Sequence, residues 1–363
     1  MIKKFCYIIL FFFVANTGNS NSLTDSLLTL AEQHKTAENY NNLAKAYRYI
    51  NIDSSSLYAK KAISTGHLEN NLEHTAYGYF NLAVNLLLQG KNFAAIEHFN
   101  NAEEYYQKAN ITNKLGAIYN NLGNCYYATA QYKEALTNYE KALQFKKDED
   151  NQNAVASTLH NIGDVLFEWK KYENSLDFYF EALEYYTQIQ DDYHKAITLN
   201  SIGTVFQNLK IFRKALDYYN ESLKHFQKAE ILISEAAVLS NIGNINYYDL
   251  KDYSKAEDYY NKSLQIYITK NDKTGQSIIY NSLGYIYKQR KDFTKASEFF
   301  QTALKFAIEE QNKKQIYTNY NALSELYESN NEYKAALEFY KKYIEVKDSV
   351  FDHEGQTKLA DFE

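Results

Sequence analysis

Large apolar side chains recur at helical spacing around a small residue that returns every 39 to 41 positions along most of the chain. Around Gly163, for example, Leu159 lies four residues before it and Leu166 three residues after it. Apolar positions at this spacing share one face of a helix, so the pattern predicts an amphipathic helix in each unit. The small residues that mark these first helices are Ala44, Ala83, Gly123, Gly163, Gly203, Gly243, Gly284 and Ser324.

A second small residue follows twelve positions after the first one, and an aromatic residue follows sixteen positions after it. Gly123 is followed in this way by Ala135 and Tyr139. These two residues share a face of a second helix, so each unit is predicted to be a helix pair. The unit around Gly243 carries one extra residue, which moves its second pair to Ala256 and Tyr260. The other pairs are Ser175 with Tyr179, Ala215 with Tyr219, Ala296 with Phe300, and Ala336 with Tyr340.

The repeated glycine of the first helix implies a close contact between the two helices of a unit. A glycine inside a helix costs about 1 kcal/mol relative to alanine, so its return at one position needs a packing reason. We expect Gly123 and Ala135 to let the two backbones approach while Tyr126 and Tyr139 fill the space around them. One pair cannot bury its own apolar face, whereas stacked pairs share a continuous core. The sequence therefore predicts an all-α solenoid of about eight helix-turn-helix repeats.

The spacing of Gly123, Tyr126, Ala135, Tyr139 and Ala142 resembles the tetratricopeptide repeat. The resemblance covers roughly residues 22–350 and implies an α-α superhelix whose first helices line a concave groove. The familiar repeat has 34 residues and closes with a proline, whereas these units have about 40 residues and the chain contains no proline. The first unit, with the polar segment Asp53 to Ser56, is expected to be an atypical cap, and residues 351–363 a helical tail.

The amino terminus has the composition of a secretory signal peptide. It reads MIKKFCYIILFFFVANTGNSNS, in which two lysines precede an apolar run from Phe5 to Ala15. Eleven residues span only about 16 Å as a helix, about half of the 30 Å hydrocarbon core of a membrane. We expect residues 1–18 to be removed near Gly18 and the mature chain to be periplasmic or secreted. An uncleaved amino-terminal anchor is the alternative.

Charge and motifs exclude several classes of function. The net charge is -6 and basic residues are scattered among acidic ones, which argues against nucleic-acid binding. No nucleotide-binding, nucleophile-elbow or zinc motif occurs, so neither an enzyme, a cofactor nor a metal site is expected. His160 is interpreted as a polar side chain facing the groove. Cys125, the only cysteine left after cleavage, cannot form an intrachain disulfide and is expected to be buried and inert.

Asparagine recurs on the polar side of the first helices, two or three residues before the small residue. A carboxamide carries a donor and an acceptor, which suits the backbone of an extended peptide in a groove. The alternative is that these amides join one repeat to the next. Aromatic residues one or four positions after the small residue are further candidate anchors. The candidate peptide-binding residues are Asn81, Asn121, Asn161, Asn200, Asn241, Asn281, Asn321, Tyr127, Phe167, Tyr247 and Tyr285.

The carboxyl-terminal segment YKKYIEVKDSVFDHEGQTKLADFE resembles the one that, in exported bacterial tetratricopeptide proteins, leads into a coiled coil, a membrane helix and an output domain. Gly355 interrupts the heptad pattern that this resemblance implies. The sequence thus predicts a protein-interaction scaffold outside the cytoplasm that binds a peptide or protein. The alternative is the sensory region of a truncated histidine kinase or DNA-binding regulator with a membrane-bound signalling partner, and an enzyme is the most distant one. Ligand, pathway and oligomeric state are not predicted.

Overall fold

The computed structural model describes residues 17–148 and 151–360, and the regular structure of these residues is entirely helical. Most of the expected signal peptide, with Cys6, lies outside the described residues. The α-helices are α1 (Thr17–Gln33), α2 (Ala37–Tyr47), α3 (Ile52–Leu68), α4 (Leu72–Leu88), α5 (Asn92–Lys108), α6 (Leu115–Ala128), α7 (Tyr132–Asp148), α8 (Gln152–Glu168), α9 (Tyr172–Gln188), α10 (Asp192–Asn208), α11 (Phe212–Lys228), α12 (Leu232–Asn244), α13 (Tyr253–Thr269), α14 (Lys273–Gln289), α15 (Phe293–Glu309), α16 (Lys313–Ser329) and α17 (Tyr333–Ala360).

In the described residues, eight helix pairs form eight repeats, from repeat 1 (α2 and α3) to repeat 8 (α16 and α17), and each first helix carries the predicted small residue. The predicted all-α architecture is therefore confirmed. The chain divides into two compact units, residues 1–148 and 149–363, which we call unit 1 and unit 2. Within each unit, every second helix packs on the first helix of the next repeat. First helices also pack on each other, as α2 does on α4 and α14 does on α16, and we call their shared surface the first-helix face.

Where the small residue of a first helix is glycine, the aromatic ring of the second helix covers it. A Cβ atom added at Gly163 would lie 2.6 Å from Cε1 of Tyr179, closer than such atoms approach in real structures. The same ring contact occurs at Gly123, Gly203, Gly243 and Gly284. At Gly123, the atoms nearest to an added Cβ belong to the ring of Tyr139, which agrees with the expectation that this ring fills the space around the glycine. Glycine makes room for a ring, and the ring fills the core between the helices.

Helices end in turns that contain neither proline nor, in most cases, glycine. Lys170, between α8 and α9, has a φ of 62°, in the left-handed region. The N–H of Lys171 donates to the carbonyl oxygen of Leu166 at 2.8 Å and that of Lys170 to Phe167 at 2.9 Å, which is the Schellman arrangement. Among the described residues, eleven other non-glycine residues adopt a positive φ, and they lie in turns within and between the repeats. The backbone hydrogen bonds thus compensate a conformation that usually selects glycine.

Three elements depart from the regular pair. Helix α1 precedes repeat 1 and packs on α2, an element that the periodicity did not predict. The extra residue of the Gly243 unit is absorbed by a π-helical segment, Ile245–Asp249, at the end of α12. Helix α17 has 28 residues and its backbone stays helical through Gly355 to Ala360. In the described part of the chain, no helix is both long enough and apolar enough to cross a membrane.

Candidate binding site on the first helices

The candidate asparagines occupy two different positions on the first helices, and the structure separates their contacts. Asn200, Asn281 and Asn321 lie three residues before the small residue of their repeat. Asn81, Asn121, Asn161 and Asn241 lie two residues before it. An asparagine three residues before the small residue can reach the first helix of the next repeat. Several amides therefore bond to each other across a repeat boundary.

In unit 1, Asn81 belongs to a chain of hydrogen bonds that joins α2 to α4. The Asn81 amide nitrogen donates to Oδ1 of Asn41 at 3.0 Å, and the Asn41 amide nitrogen donates to the backbone oxygen of His74 at 2.8 Å. Nη2 of Arg48 donates to Oδ1 of Asn81 at 2.5 Å. Both asparagines are buried. Asn121 differs, because its amide nitrogen bonds to Ala117 of its own helix at 2.9 Å.

In unit 2, two amide pairs join consecutive first helices. The amide nitrogen of Asn241 donates to Oδ1 of Asn200 at 3.0 Å, which links α12 to α10. The amide nitrogen of Asn281 donates to Oδ1 of Asn319 at 2.8 Å, which links α14 to α16. Asn281 is only 9% exposed and Asn319 is fully buried. Sequence reasoning missed Asn319, because it lies five residues before Ser324, outside the two positions that it considered.

Three other asparagines of unit 2 have side-chain donors or acceptors that form no hydrogen bond with the described residues. Asn161 is half-buried and forms no hydrogen bond with the described residues. The amide nitrogen of Asn200 and the amide oxygen of Asn241 have no partner in the same part of the chain, although the two side chains bond to each other. Asn321 donates to Oε1 of Glu325 at 2.7 Å. Asn161, Asn200 and Asn241 therefore place available donors and acceptors on three consecutive first helices.

Each candidate aromatic ring packs against the second helix of its own repeat, and the Tyr247 hydroxyl also donates to the backbone oxygen of Tyr285 in the next repeat at 3.4 Å. Their ring contacts are Tyr127 with Tyr132 at 6.4 Å, Phe167 with Tyr172 at 5.5 Å, Tyr247 with Tyr253 at 5.4 Å, and Tyr285 with Phe300 at 5.1 Å between centroids. Each of these partners lies on the second helix. The rings close the pair of helices, and a role in ligand binding stays a prediction for all four.

Tyr248 is a candidate that the sequence analysis missed. It lies in the π-helical segment and is 52% exposed, and its ring contacts Tyr247 at 4.6 Å between centroids. Partial burial raises the pKa of its hydroxyl, and the nearby Glu325 adds to this rise. An aromatic side chain with an open face beside partly buried neighbours can anchor a ligand. The extra residue of this unit was visible in the sequence, but its exposure was not.

The residue that follows the small residue accepts a hydrogen bond where the aromatic residue of the second helix is Tyr179 or Tyr260. The hydroxyl of Tyr179 donates to Oδ1 of Asp164 at 2.6 Å, and that of Tyr260 to Oδ1 of Asn244 at 2.8 Å. Where phenylalanine replaces tyrosine, the position after the small residue holds Val84 or Tyr285 instead of an acceptor, opposite Phe99 and Phe300. Buried hydroxyls need partners, so Asp164 and Asn244 serve the core. Glu325, at the same position of repeat 8, bonds instead to Lys288 and Asn321.

His160 and Cys125 occupy packed positions. Burial lowers the pKa of His160, which opposes the effect of Asp164 at 3.6 Å, and its Nδ1 lies 3.0 Å from Oγ1 of Thr198. Its side chain is 14% exposed. Burial also raises the pKa of the fully buried Cys125 thiol to about 12. Among the described residues, no group of three or more His, Cys, Asp or Glu is placed to hold a metal ion.

Solved structures with the same fold have varied functions. The signal transduction ATPase with a tetratricopeptide repeat sensor from Pyrococcus horikoshii is 17% identical, with a TM-score of 0.65 over 92% of this chain and 53% of that one. The Rap conjugation gene regulator of plasmid pLS20, in complex with the Phr* peptide, is 16% identical, with a TM-score of 0.54 over 92% and 96%. Aspartyl phosphate phosphatase F from Bacillus subtilis is 18% identical, with a TM-score of 0.56 over 78% and 75%. At this identity the likeness concerns the fold.

Sequence comparison identifies the family. No curated protein sequence matches the chain. Family models described as tetratricopeptide repeat match residues 73–148, 154–228, 236–267 and 275–349, which together are more than half of the chain. These segments hold the helix pairs in which a second-helix ring covers the small residue of the first helix. The chain therefore belongs to the tetratricopeptide repeat family.

Proposed function

We propose that this protein is a non-catalytic interaction scaffold that binds a peptide or protein segment on the first-helix face of unit 2. The observation that carries this proposal is the set of available amide groups at Asn161, Asn200 and Asn241 on α8, α10 and α12. The peptide complex of a regulator with the same fold supports this type of ligand. The absence of catalytic motifs from the sequence supports a role without chemistry.

The spacing of the amides suits an extended chain. Packed helices lie about 8–10 Å apart, and an extended chain advances about 3.3–3.6 Å per residue. Neighbouring first helices are therefore separated by about three residues of an extended ligand, so a segment of about six to eight residues crosses the three asparagines. Each amide can pair with a backbone N–H or C=O of any residue type. Tyr248, on the π-helical segment after α12, adds an exposed ring for a ligand side chain.

Replacement of Asn161 by alanine is expected to weaken peptide binding about two- to tenfold without lowering stability, because a net hydrogen bond contributes about 0.5–1.5 kcal/mol. The probe is an equimolar library of acetylated octapeptide amides, and the measurement is its retention on the immobilised full chain. Asn153→Ala, the same substitution at an exposed position of the same helix, is the control and should bind like the parent. Equal retention by Asn161→Ala and the parent, or no retention by the parent, would contradict the proposal.

We also propose that the protein acts outside the cytoplasm, because two lysines precede an apolar run in its amino-terminal segment. The mature chain is expected to begin near Asn19 and to be recovered from the envelope or periplasmic fraction. Amino-terminal sequencing of the purified protein tests this expectation. Soluble cytoplasmic material that begins with Met1 would reject it, and envelope material that keeps Met1 would indicate the uncleaved anchor.

A further inference from the structure

Helix α17 exposes a row of large apolar side chains. Tyr333 is 65% exposed, Leu337 54% and Tyr340 48%. These residues and the half-buried Ile344 are spaced by four, three and four positions, so they share one face of the helix, which we call the terminal face. No further repeat follows α17 among the described residues, and its backbone continues as a helix to Ala360. The terminal face therefore has no cover in the described part of the chain.

The earlier repeats of unit 2 show what covers such a face. Tyr340 corresponds to Tyr179 and Tyr219, which are 1% and 0% exposed. Tyr179 belongs to the same apolar core as Ala196 and Ile202 on the first helix of the following repeat. The next repeat thus completes the burial of each second-helix ring. Tyr340 has the residue type of a core position and lacks the helix that would bury it.

Repeat 1 is covered in a different way. Helix α1 packs on α2, and most of its exposed side chains are polar, among them Asp25, Thr29 and Glu32, with Leu30 as an exception. The terminal helices of a repeat array need a polar outer surface when nothing else covers them. Helix α1 meets this requirement and α17 does not, so the terminal face is suited to a partner.

Charged residues beside the terminal face alternate in sign. Lys334, Glu338, Lys341 and Glu345 are exposed and form no ion pair with the described residues. If two copies of α17 run antiparallel about a midpoint between residues 339 and 340, Lys334 is level with Glu345 of the other copy, and Glu338 with Lys341. Two-fold symmetry repeats both pairs. Parallel helices in register would instead bring like charges level with each other.

The same alignment brings the apolar residues together. Leu337 is then offset from Tyr340 of the other copy by only about 3 Å along the helix axis, and Tyr333 is offset from Ile344 by the same amount. Tyr343 extends this surface, because its ring centroid lies 5.7 Å from that of Tyr340 and 6.2 Å from that of Tyr317 on α16. Aromatic residues are enriched in protein interfaces. A second α17 thus complements both the apolar and the charged residues of the first.

We propose that the terminal face binds a second copy of this chain, and that the two α17 helices pair antiparallel in a two-fold symmetric dimer. Each copy covers the apolar residues that the other one exposes, so neither solenoid needs a polar cap at this helix. The inference is independent of the proposed function, because the terminal face lies on a second helix and the available amides lie on the first helices α8, α10 and α12.

The first test is sedimentation equilibrium of the purified protein at about 1 to 100 μM, a range that detects dimers of moderate affinity. Leu337→Asp is expected to raise the dimer Kd about a hundredfold or more, because each change places a charge in an apolar contact and occurs twice in the dimer. Leu57→Asp is the matched control, since Leu57 lies on the second helix α3 and is 52% exposed. The control should leave the Kd unchanged.

The second test reverses charges and measures the Kd at low salt, where ion pairs are least screened. Lys334→Glu combined with Lys341→Glu leaves four acidic residues beside the terminal face and should raise the Kd about tenfold or more. Adding Glu338→Lys and Glu345→Lys restores opposite charges at every level of an antiparallel pair, so this fourfold variant should dimerise like the parent. In a parallel dimer both variants keep like charges level and would behave alike.

Three results would overturn the proposal. A parent that stays monomeric over the whole concentration range would leave the terminal face to a helix of another protein. A dimer that persists unchanged in Leu337→Asp would place the contact elsewhere on the chain. Equal Kd values of the twofold and fourfold charge variants would exclude the antiparallel pairing. All of the substituted side chains are exposed, and a denaturant melt of each variant verifies that the chain remains folded.

Discussion

Replacement of Gly163 by leucine is expected to lower the free energy of unfolding by about 1–3 kcal/mol or more, as overpacking of a core does. A single Cβ at this position would already lie 2.6 Å from the ring of Tyr179. The ring has little room to move, because Tyr179 is 1% exposed and its hydroxyl is bonded to Asp164. Leucine would force α8 away from α9.

A denaturant melt followed by the fluorescence of Trp169 measures this effect in unit 2, because Trp169 is the only tryptophan of the chain. Asn153→Leu is the matched control, since it places the same side chain at an exposed position of the same helix. The control should unfold at nearly the same denaturant concentration as the parent. A Gly163→Leu variant as stable as this control would mean that the contact with Tyr179 can relax without loss of packing.

Replacement of Asn281 by alanine is expected to lower the free energy of unfolding by about 1–3 kcal/mol, because it leaves Oδ1 of the buried Asn319 without its donor. Asn161→Ala is the comparison, since this amide is half-buried and forms no hydrogen bond with the described residues. Alanine also has the higher helix propensity, so this second variant should be at least as stable as the parent. Both changes lie on first helices of unit 2 and can be measured by the same Trp169 melt.

These two variants distinguish the two interpretations of the asparagine pattern. If both were equally destabilising, all of these amides would act as structural links between repeats, and Asn161 would not be available to a ligand. If neither were destabilising, the bond between Asn281 and Asn319 would contribute nothing to the stability of unit 2. The structure leads us to expect one linking amide and one available amide at positions that the sequence pattern did not distinguish.

The repeat architecture could be read from the sequence because its signals are local. Gly163, Leu159 and Leu166 lie within two turns of one helix, and Ser175 and Tyr179 within one turn of the next, so their spacing alone defines two amphipathic faces. The turns gave a weaker signal. Lys170 adopts a positive φ that usually selects glycine, and it is held there by hydrogen bonds to the preceding helix rather than by its own side chain.

What the sequence by itself determined is the all-helical class, the period of about 40 residues and the family, because these depend on residues close together along the chain. Only the tertiary structure decided which asparagine reaches a neighbouring helix and which one keeps its amide available. It also showed that Arg48 of repeat 1 donates to Asn81 of repeat 2. The physical reason is that hydrogen bonds and ion pairs between repeats join residues some 40 positions apart, and a shift of one residue along a helix turns a side chain by about 100°.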